Sequence, residues 1–313
     1  MAVDLKRIRK GTIKRPPRVL IYGFDGIGKT GFAAGAPEPL FLDANRGSHN
    51  YDVQRVDIAD WGDMQEWLLA VENGTAACKT LVLDSITDLE AMSHEFLFKG
   101  GTVTDHKGGY GKGDDAVTVE WRKVISQLER IWFRGIAIVV VAHARVKKFE
   151  DPTSSVASGG YERFEVGCRP QLAAPLRQWM DYVFFAREEV VIATDKNKGS
   201  RATTTGARYC HTRRCPAFDA KARGTFLFPE RILLSWRAFE EAVEADSKRE
   251  DRIASLRKEI DSMLAELADG ELTRKVNDYL RQYPAGIVEA HNSVSSKLQE
   301  KTMKAEQPKE SAA

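Results

Sequence analysis

The sequence predicts an α/β protein: a mostly parallel central sheet flanked by helices, followed by a small C-terminal helical appendage. Three observations carry that prediction. Short apolar runs alternate with helix-period segments from residue 18 to about residue 240, the order that builds strand–helix–strand units. Several of the runs are unbroken Val, Ile and Leu, as strands covered on both faces must be. After residue 244 the strand-like runs stop, and apolar residues recur only at helical spacing.

Taken in order, the predicted strands are RVLIYG (18–23), PLFLD (39–43), TLVLD (80–84), IAIVVVA (136–142), YVFFA (182–186) and VVIAT (190–194). Between them, WGDMQEWLLAVENG reads as a helix capped by Asp60 and stopped at Asn73-Gly74. SITDLEAMSHEFLF (85–98) and AVTVEWRKVISQLERIWF (116–133) are the next helices. Residues 99–115, rich in Gly and Lys, and residues 144–167 resist regular structure; connections that long are usually functional or disordered. Ile253, Leu256, Ile260, Met263 and Leu267 then form an apolar stripe, expected to pack on its own neighbours or on the core. LTRKVNDYLRQYP and IVEAHNSVSSKLQEK follow as two further helices. The expected division is a basic N-terminal segment 1–17, a core 18–243, an appendage 244–302 and a disordered tail 303–313.

The 313 residues suffice for one large α/β domain plus an appendage. A net charge of +2 does not mark a nucleic-acid binder, although a local basic patch still acts within a Debye length. The scattered cysteines Cys78, Cys168, Cys210 and Cys215 suit a reducing cytosol better than a disulfide framework. The N-terminus is basic but no apolar stretch follows it, so it does not read as a signal peptide. No apolar run approaches transmembrane length. A cytoplasmic protein without a membrane partner is expected.

Residues 23–30, GFDGIGKT, match G-x-x-x-x-G-K-[ST] between a predicted strand and a predicted helix, the context a phosphate loop requires. Glycines let backbone N–H groups turn inward around phosphate oxygens. Gly23, Asp25, Gly26, Ile27, Gly28, Lys29 and Thr30 are therefore candidate nucleotide-binding residues. Lys29 would reach the β- and γ-phosphates, and Thr30 would offer its hydroxyl to Mg²⁺. Asp84 closes the strand TLVLD, so its carboxylate lies at the sheet's carboxyl edge, where it would hold the same ion. His143 ends another strand at that edge and is a candidate reporter of the γ-phosphate. Arg145, Lys147, Lys148 and Phe149 follow it, a basic and aromatic set suited to single-stranded nucleic acid. Lys107, Tyr110 and Lys112 in the Gly-rich segment are a second candidate set for the same role. Residues 196–223 form the most basic part of the core, with eight basic residues, Arg208 among them, against the one acid Asp219. CHTRRC (210–215) suggests zinc, but adjacent strand residues face opposite ways and no second cysteine pair stands nearby.

The order of phosphate loop, strand-ending Asp84 and strand-ending His143 with a basic sequel resembles the RecA-type ATPase core. The chain resembles most the phage-encoded, core-only RecA-like proteins of the single-strand annealing (Sak-type) recombinase class. The resemblance covers roughly residues 8–243 and rests on KRPPRVLIYGFDGIGKTGFAAGAPEPLFLD, TLVLDSIT, GYGKG, EWRKVISQLE, VVVAHARVKKFEDP, LRQWMDYVFFA and RRCPAFDAKARGTFLFP. It implies a RecA-like P-loop NTPase core that binds ATP with Mg²⁺, binds single-stranded DNA and anneals or pairs strands in phage recombination. It also implies a ring or filament of identical subunits with ATP at their interfaces, a single-stranded DNA-binding protein as partner, and the cytoplasm of a bacterial host. In DAKARG (219–224), Lys221 and Arg223 match basic residues that in RecA-type assemblies reach the neighbouring subunit's ATP. Such cations stabilise charge developing on the transferred phosphoryl group.

One departure concerns the chemistry. The family pattern after the second strand is Asp-Thr-Glu-Gly, and its Glu is the catalytic carboxylate. Here the matching residues are Asp43, Ala44, Asn45 and Arg46. An amide can orient a water but cannot take its proton as a carboxylate would. The expectation is weak hydrolysis, with Asn45 orienting water or Asp43 standing in, and ATP acting chiefly as a conformational switch. A helicase-like motor ATPase, which needs robust hydrolysis, and an ATP-gated adaptor that recruits other recombination proteins are the rival expectations.

Overall fold

The computed structural model describes residue 4 and residues 13–99, 112–149, 160–195, 199–223 and 228–306, with only the backbone described for 112, 114, 191–195, 199–203 and 303–306. The chain divides into two compact units, Met1–Gly224 with Phe228–Ala242, and Thr225–Leu227 with Val243–Ala313.

The first unit is an α/β layer structure. Its strands are β1 (Arg18–Gly23), β2 (Pro39–Asp43), β3 (Gln54–Asp57), β4 (Thr80–Asp84), β5 (Ala137–Phe149), β6 (Tyr161–Val166), β7 (Tyr182–Asp195), β8 (Gly199–His211), β9 (Lys221–Ala222) and β10 (Arg231–Leu233). The helices are α1 (Lys29–Ala34), α2 (Trp61–Asn73), α3 (Ile86–Phe98), α4 (Lys112–Phe133) and α5 (Pro170–Trp179), with the start of α6 (Trp236–Leu267). The sheet runs β10-β8-β7-β1-β5-β4-β2-β3, parallel from β7 to β3 and antiparallel from β7 to β10. Early connections carry the chain to one side of β1 and later ones to the other. The carboxyl end of β1 is therefore the switch point where such sheets bind ligands. Because β5 lies between β1 and β4, His143 stands between the phosphate loop and Asp84 at that edge.

Alternate residues of each central strand feed opposite cores. Leu20, Tyr22, Leu81, Leu83, Val140 and Phe185 join one apolar cluster with α2, α3, α4 and α5. On the other face Phe32 meets Phe184, Trp236 and Phe239 edge-on or tilted. Full burial of both faces is why these strands read as unbroken apolar runs. Asp60 accepts a hydrogen bond from Asp63 N and Gly74 adopts the left-handed conformation, so α2 begins and ends where its residues direct.

Three expectations are corrected. YVFFA and VVIAT are one strand, β7, with a bulge between Glu188 and Val190. Residues 144–149 are not loop: β5 continues through Arg145, Lys147, Lys148 and Phe149 and pairs antiparallel with β6 as a two-stranded ribbon. Lys112 is the first residue of α4 rather than part of a loop, while Lys107 and Tyr110 lie outside the described residues.

In the second unit α6 continues and is joined by α7 (Gly270–Gln282) and α8 (Ile287–Glu306). Leu256, Ile260, Leu264, Leu272, Val276, Leu280 and Val294 form their shared core, with Ile253, Met263 and Leu267 packed on its margin. The α6 stripe is thus used internally. Among the described residues no helix is long and apolar enough to cross a membrane.

Candidate nucleotide site

The site begins where β1 runs out of hydrogen-bonding partners and turns into α1. Gly23 has to be glycine: a β-carbon there would stand 2.6 Å from Ala186 O on β7. Gly26 has φ 72, and a β-carbon there would meet no atom within 4 Å, so the outer side of the loop is open to a ligand. Lys29, 7% exposed, turns its ammonium onto the carbonyls of Gly23 (3.0 Å) and Phe24 (2.9 Å). Burial lowers its pKa, opposed by the nearby Asp25 and Asp84.

Thr30 Oγ1 donates to Asp84 Oδ2 at 2.8 Å, which joins the loop to the end of β4. Asp84 is buried, and burial pushes its carboxyl up to about 6; the Thr30 hydrogen bond opposes the rise and the charge of Asp43 adds to it. A buried carboxylate beside a hydroxyl offers oxygen ligands of the kind a hard divalent cation takes.

These residues sit within a known family. The family model described as an AAA domain matches residues 15–224, well over half of the chain. The chain belongs to the AAA domain family. No curated protein matches it. An AAA domain typically binds ATP with Mg²⁺, and the residues here fit that pair: Lys29 and the open loop for the phosphates, Thr30 and Asp84 for the metal ion. When bound, the ion would neutralise phosphate charge that the surrounding acids otherwise repel.

The AAA domain's remaining edge residues form one hydrogen-bonded cluster. Asp43, fully buried, accepts from Ser48 N (2.9 Å), Ser48 Oγ (2.5 Å), Gly47 N (3.2 Å) and Asn45 N (3.3 Å). Its oxygens are thus engaged in holding the turn after β2, which leaves it poorly placed to take a proton from water. Asn45 Oδ1 accepts from Gly47 N at 2.9 Å, and its Nδ2 donates to Asp88 Oδ2 at 3.3 Å. A β-carbon on Gly47 would lie 3.9 Å from Thr30 Oγ1, so this turn borders the Thr30 hydroxyl.

His143 bridges the edge. Its Nδ1 lies 2.5 Å from Asp25 Oδ1 in the phosphate loop, and its Nε2 lies 3.9 Å from Asp88 Oδ2. Asp88 also accepts from Ser85 Oγ, the N-cap of α3. Asp88 is not among the residues that the sequence singles out. The available signal is Ser85-x-x-Asp88 directly after Asp84: an acid in the first turn of a helix that starts at the functional edge of the sheet. Arg208 on β8 reads in the sequence only as part of a basic stretch, yet its guanidinium is 3.5 Å from where a β-carbon of Gly28 would be.

Two predicted residues are elsewhere. β9 pairs with the start of β7, Lys221 opposite Val183 and Ala222 opposite Tyr182, whereas Gly23 is opposite Ala186. At ~3.3 Å per residue, β9 therefore lies roughly 10–13 Å along the strand from the phosphate loop. Lys221 Nζ donates to the carbonyls of Arg177 (2.8 Å) and Gln178 (3.2 Å) at the end of α5, and Arg223 pairs with Asp181 at 3.0 Å. These cations do not face the chain's own phosphate loop. Arg145, Lys147, Lys148 and Phe149 are together on the β5–β6 ribbon, with Arg145, Lys147 and Phe149 on one face and Lys148 on the other.

Proposed function

We propose that this AAA-domain protein is an ATP-switched, single-stranded DNA-binding recombinase that anneals or pairs strands in phage recombination and hydrolyses ATP weakly. The observation that carries the reading is the continuity of β5. One strand bears His143, hydrogen-bonded to the phosphate-loop residue Asp25, and then runs without a break into the ribbon of Arg145, Lys147, Lys148 and Phe149. A change at the phosphate loop that moves His143 is transmitted along a hydrogen-bonded strand to a basic and aromatic surface. That is the coupling an ATP switch on strand binding needs.

Two further features favour a switch over a motor. The position expected to hold a catalytic Glu is Asn45, whose amide is tied to Gly47 and Asp88. The carboxylates near it are Asp43, consumed by the turn, and Asp88, shared between Ser85 and Asn45. Lys221 and Arg223 are remote from the chain's own loop, so on this reading they act on the ATP of a neighbouring subunit in a ring or filament. A single-stranded DNA-binding protein is the partner expected by resemblance.

The test is fluorescence anisotropy of labelled oligo-dT against wild type and Lys29→Ala, with and without ATP and Mg²⁺, at two salt concentrations. The reading expects binding that weakens with salt and tightens with ATP only when Lys29 is present. Absence of oligo-dT binding in every condition overturns it. Binding that ignores ATP leaves a DNA-binding protein but removes the switch.

A further inference from the structure

On the first unit a cavity of about 540 Å³ opens under the β5–β6 ribbon, between α5 and the turn that leads into β9. Its charge is unbalanced. Arg163 Nη2 reaches Asp219 Oδ1 at 2.6 Å, Arg177 pairs with Asp219 Oδ2, and Arg214 Nε stands 3.9 Å from Oδ1. One carboxylate therefore faces three guanidinium groups, and Lys221 also lines the space. The other acid on the wall, Glu165, is drawn to Arg145 at 3.7 Å. On the ribbon Lys147 stands directly opposite Arg163, and like charges so placed destabilise a strand pair.

Arg163 adds an independent observation. Its side chain is 6% exposed, yet its Nε, buried, has no hydrogen-bond partner among the described residues. A buried donor left unmade is costly, and such groups call for a partner. The guanidinium also lies 5.3 Å from the centre of the Phe149 ring, which lines the same cavity. Forked guanidinium donors match the oxygens of a phosphate, and an aromatic ring such as the half-buried Phe149 can contact a base without reading its identity.

We infer that this cavity is a phosphate-binding site for one nucleotide of a single-stranded nucleic acid, with Arg163, Arg177 and Arg214 around the phosphodiester and Phe149 against the base. The inference rests on the single-strand reading proposed above and gives it a location. The shared chemistry is a phosphate oxyanion, which a free phosphate would also supply. Asp219 holds the arginines in convergence until the ligand arrives.

The experiment uses the full-length protein and the variants Arg214→Glu and Arg177→Gln. Arg214 is 74% exposed, so its reversal leaves the fold alone. Anisotropy with labelled oligo-dT is read at two salt concentrations, and binding of a fluorescent ATP analogue serves as the control. Both variants should bind oligo-dT about tenfold more weakly. The salt slope should fall by about 0.7 for each phosphate no longer neutralised, with the ATP analogue bound as before. Wild-type oligo-dT affinity in both variants overturns the cavity while leaving the single-strand reading standing. If wild type itself fails to bind oligo-dT, the single-strand reading fails, and inorganic phosphate becomes the probe. A rise in melting temperature with phosphate over chloride that is smaller in Arg214→Glu than in wild type supports the cavity as a site for free phosphate. An equal rise, or none, overturns it.

Discussion

The phosphate-loop edge and the cavity beneath the ribbon are built on the same sheet with opposite charge. At the edge Asp25, Asp43, Asp84 and Asp88 gather around Lys29 and His143, with Arg208 at the rim. In the cavity Arg163, Arg177 and Arg214 gather around Asp219. A polyanion enters an acidic crevice only with a cation to neutralise it, which is how ATP and Mg²⁺ arrive. The basic cavity would take its anion bare. The first site should therefore depend on Mg²⁺ and the second on ionic strength.

The same substitution should act in opposite directions at the two places. Asp219→Asn removes the one acid that faces three arginines, one of them almost fully buried. The hydrogen bonds lost to the buried Arg163 and the half-buried Arg177 cost about 1.5–3 kcal/mol, to be read as a lower urea midpoint. Asp84→Asn removes a carboxylate that burial already disfavours, with a folded pKa of about 6. At neutral pH and without Mg²⁺ it should stabilise the fold by about 2–3 kcal/mol, following the size of that shift. If both substitutions destabilise equally, the charge contrast does not control stability.

Nucleotide binding should separate the sites next. Lys29→Ala would remove the charge-assisted hydrogen bonds that a bound phosphate is expected to receive, each worth ~1.5–3 kcal/mol. ATP affinity should fall tenfold to a hundredfold in an equilibrium titration, while any ATP-independent binding of oligo-dT persists. At the position where the resemblance expects a catalytic Glu, Asn45→Glu should raise ATP turnover at least tenfold, because a positioned general base contributes ~10²–10⁴. Unchanged turnover would move attention to Asp88, whose replacement by Asn should then abolish the residual rate with ATP affinity kept.

The two regions also differ in how far the sequence reveals them. The phosphate loop, Asp43 and Asp84 are legible because each closes a strand buried on both faces, and an unbroken apolar run that ends in a polar residue marks the sheet's edge. Asp88 is not legible as part of the site. Its role depends on Asn45 and His143, which come from the turn after β2 and from β5, and only the sheet order brings these together. The ribbon reads as a loop because its partner strand YERFEV is separated from ARVKKF by a long stretch and is itself charged. An antiparallel ribbon exposed to water needs no apolar run. β8, with its Thr-rich GSRATTTGARYCH, escapes the sequence pattern for the same reason. The cavity joins β6, α5 and the turn before β9, and nothing in the local pattern of any one of them announces the others.

The smallest effect is a pH dependence, and its sign distinguishes a metal site from a merely buried acid. Asp84 has a pKa raised from 3.8 to about 6, so between those values the folded chain holds a proton that the unfolded chain has lost. The stability from this group is therefore fully present below the lower value and is lost as pH rises through the upper one. Mg²⁺ competes with that same proton, so its binding should strengthen over the range in which the fold weakens. Going from pH 7 down to pH 5.5, the ionised fraction of a group titrating at about 6 falls about fourfold. Apparent Mg²⁺ affinity, measured by titration in the presence of a fluorescent ATP analogue, should fall by the same factor. In Asp84→Asn the dependence should vanish together with most of the Mg²⁺ affinity. A variant that keeps the pH dependence would show that Asp84 is not the group with which Mg²⁺ competes.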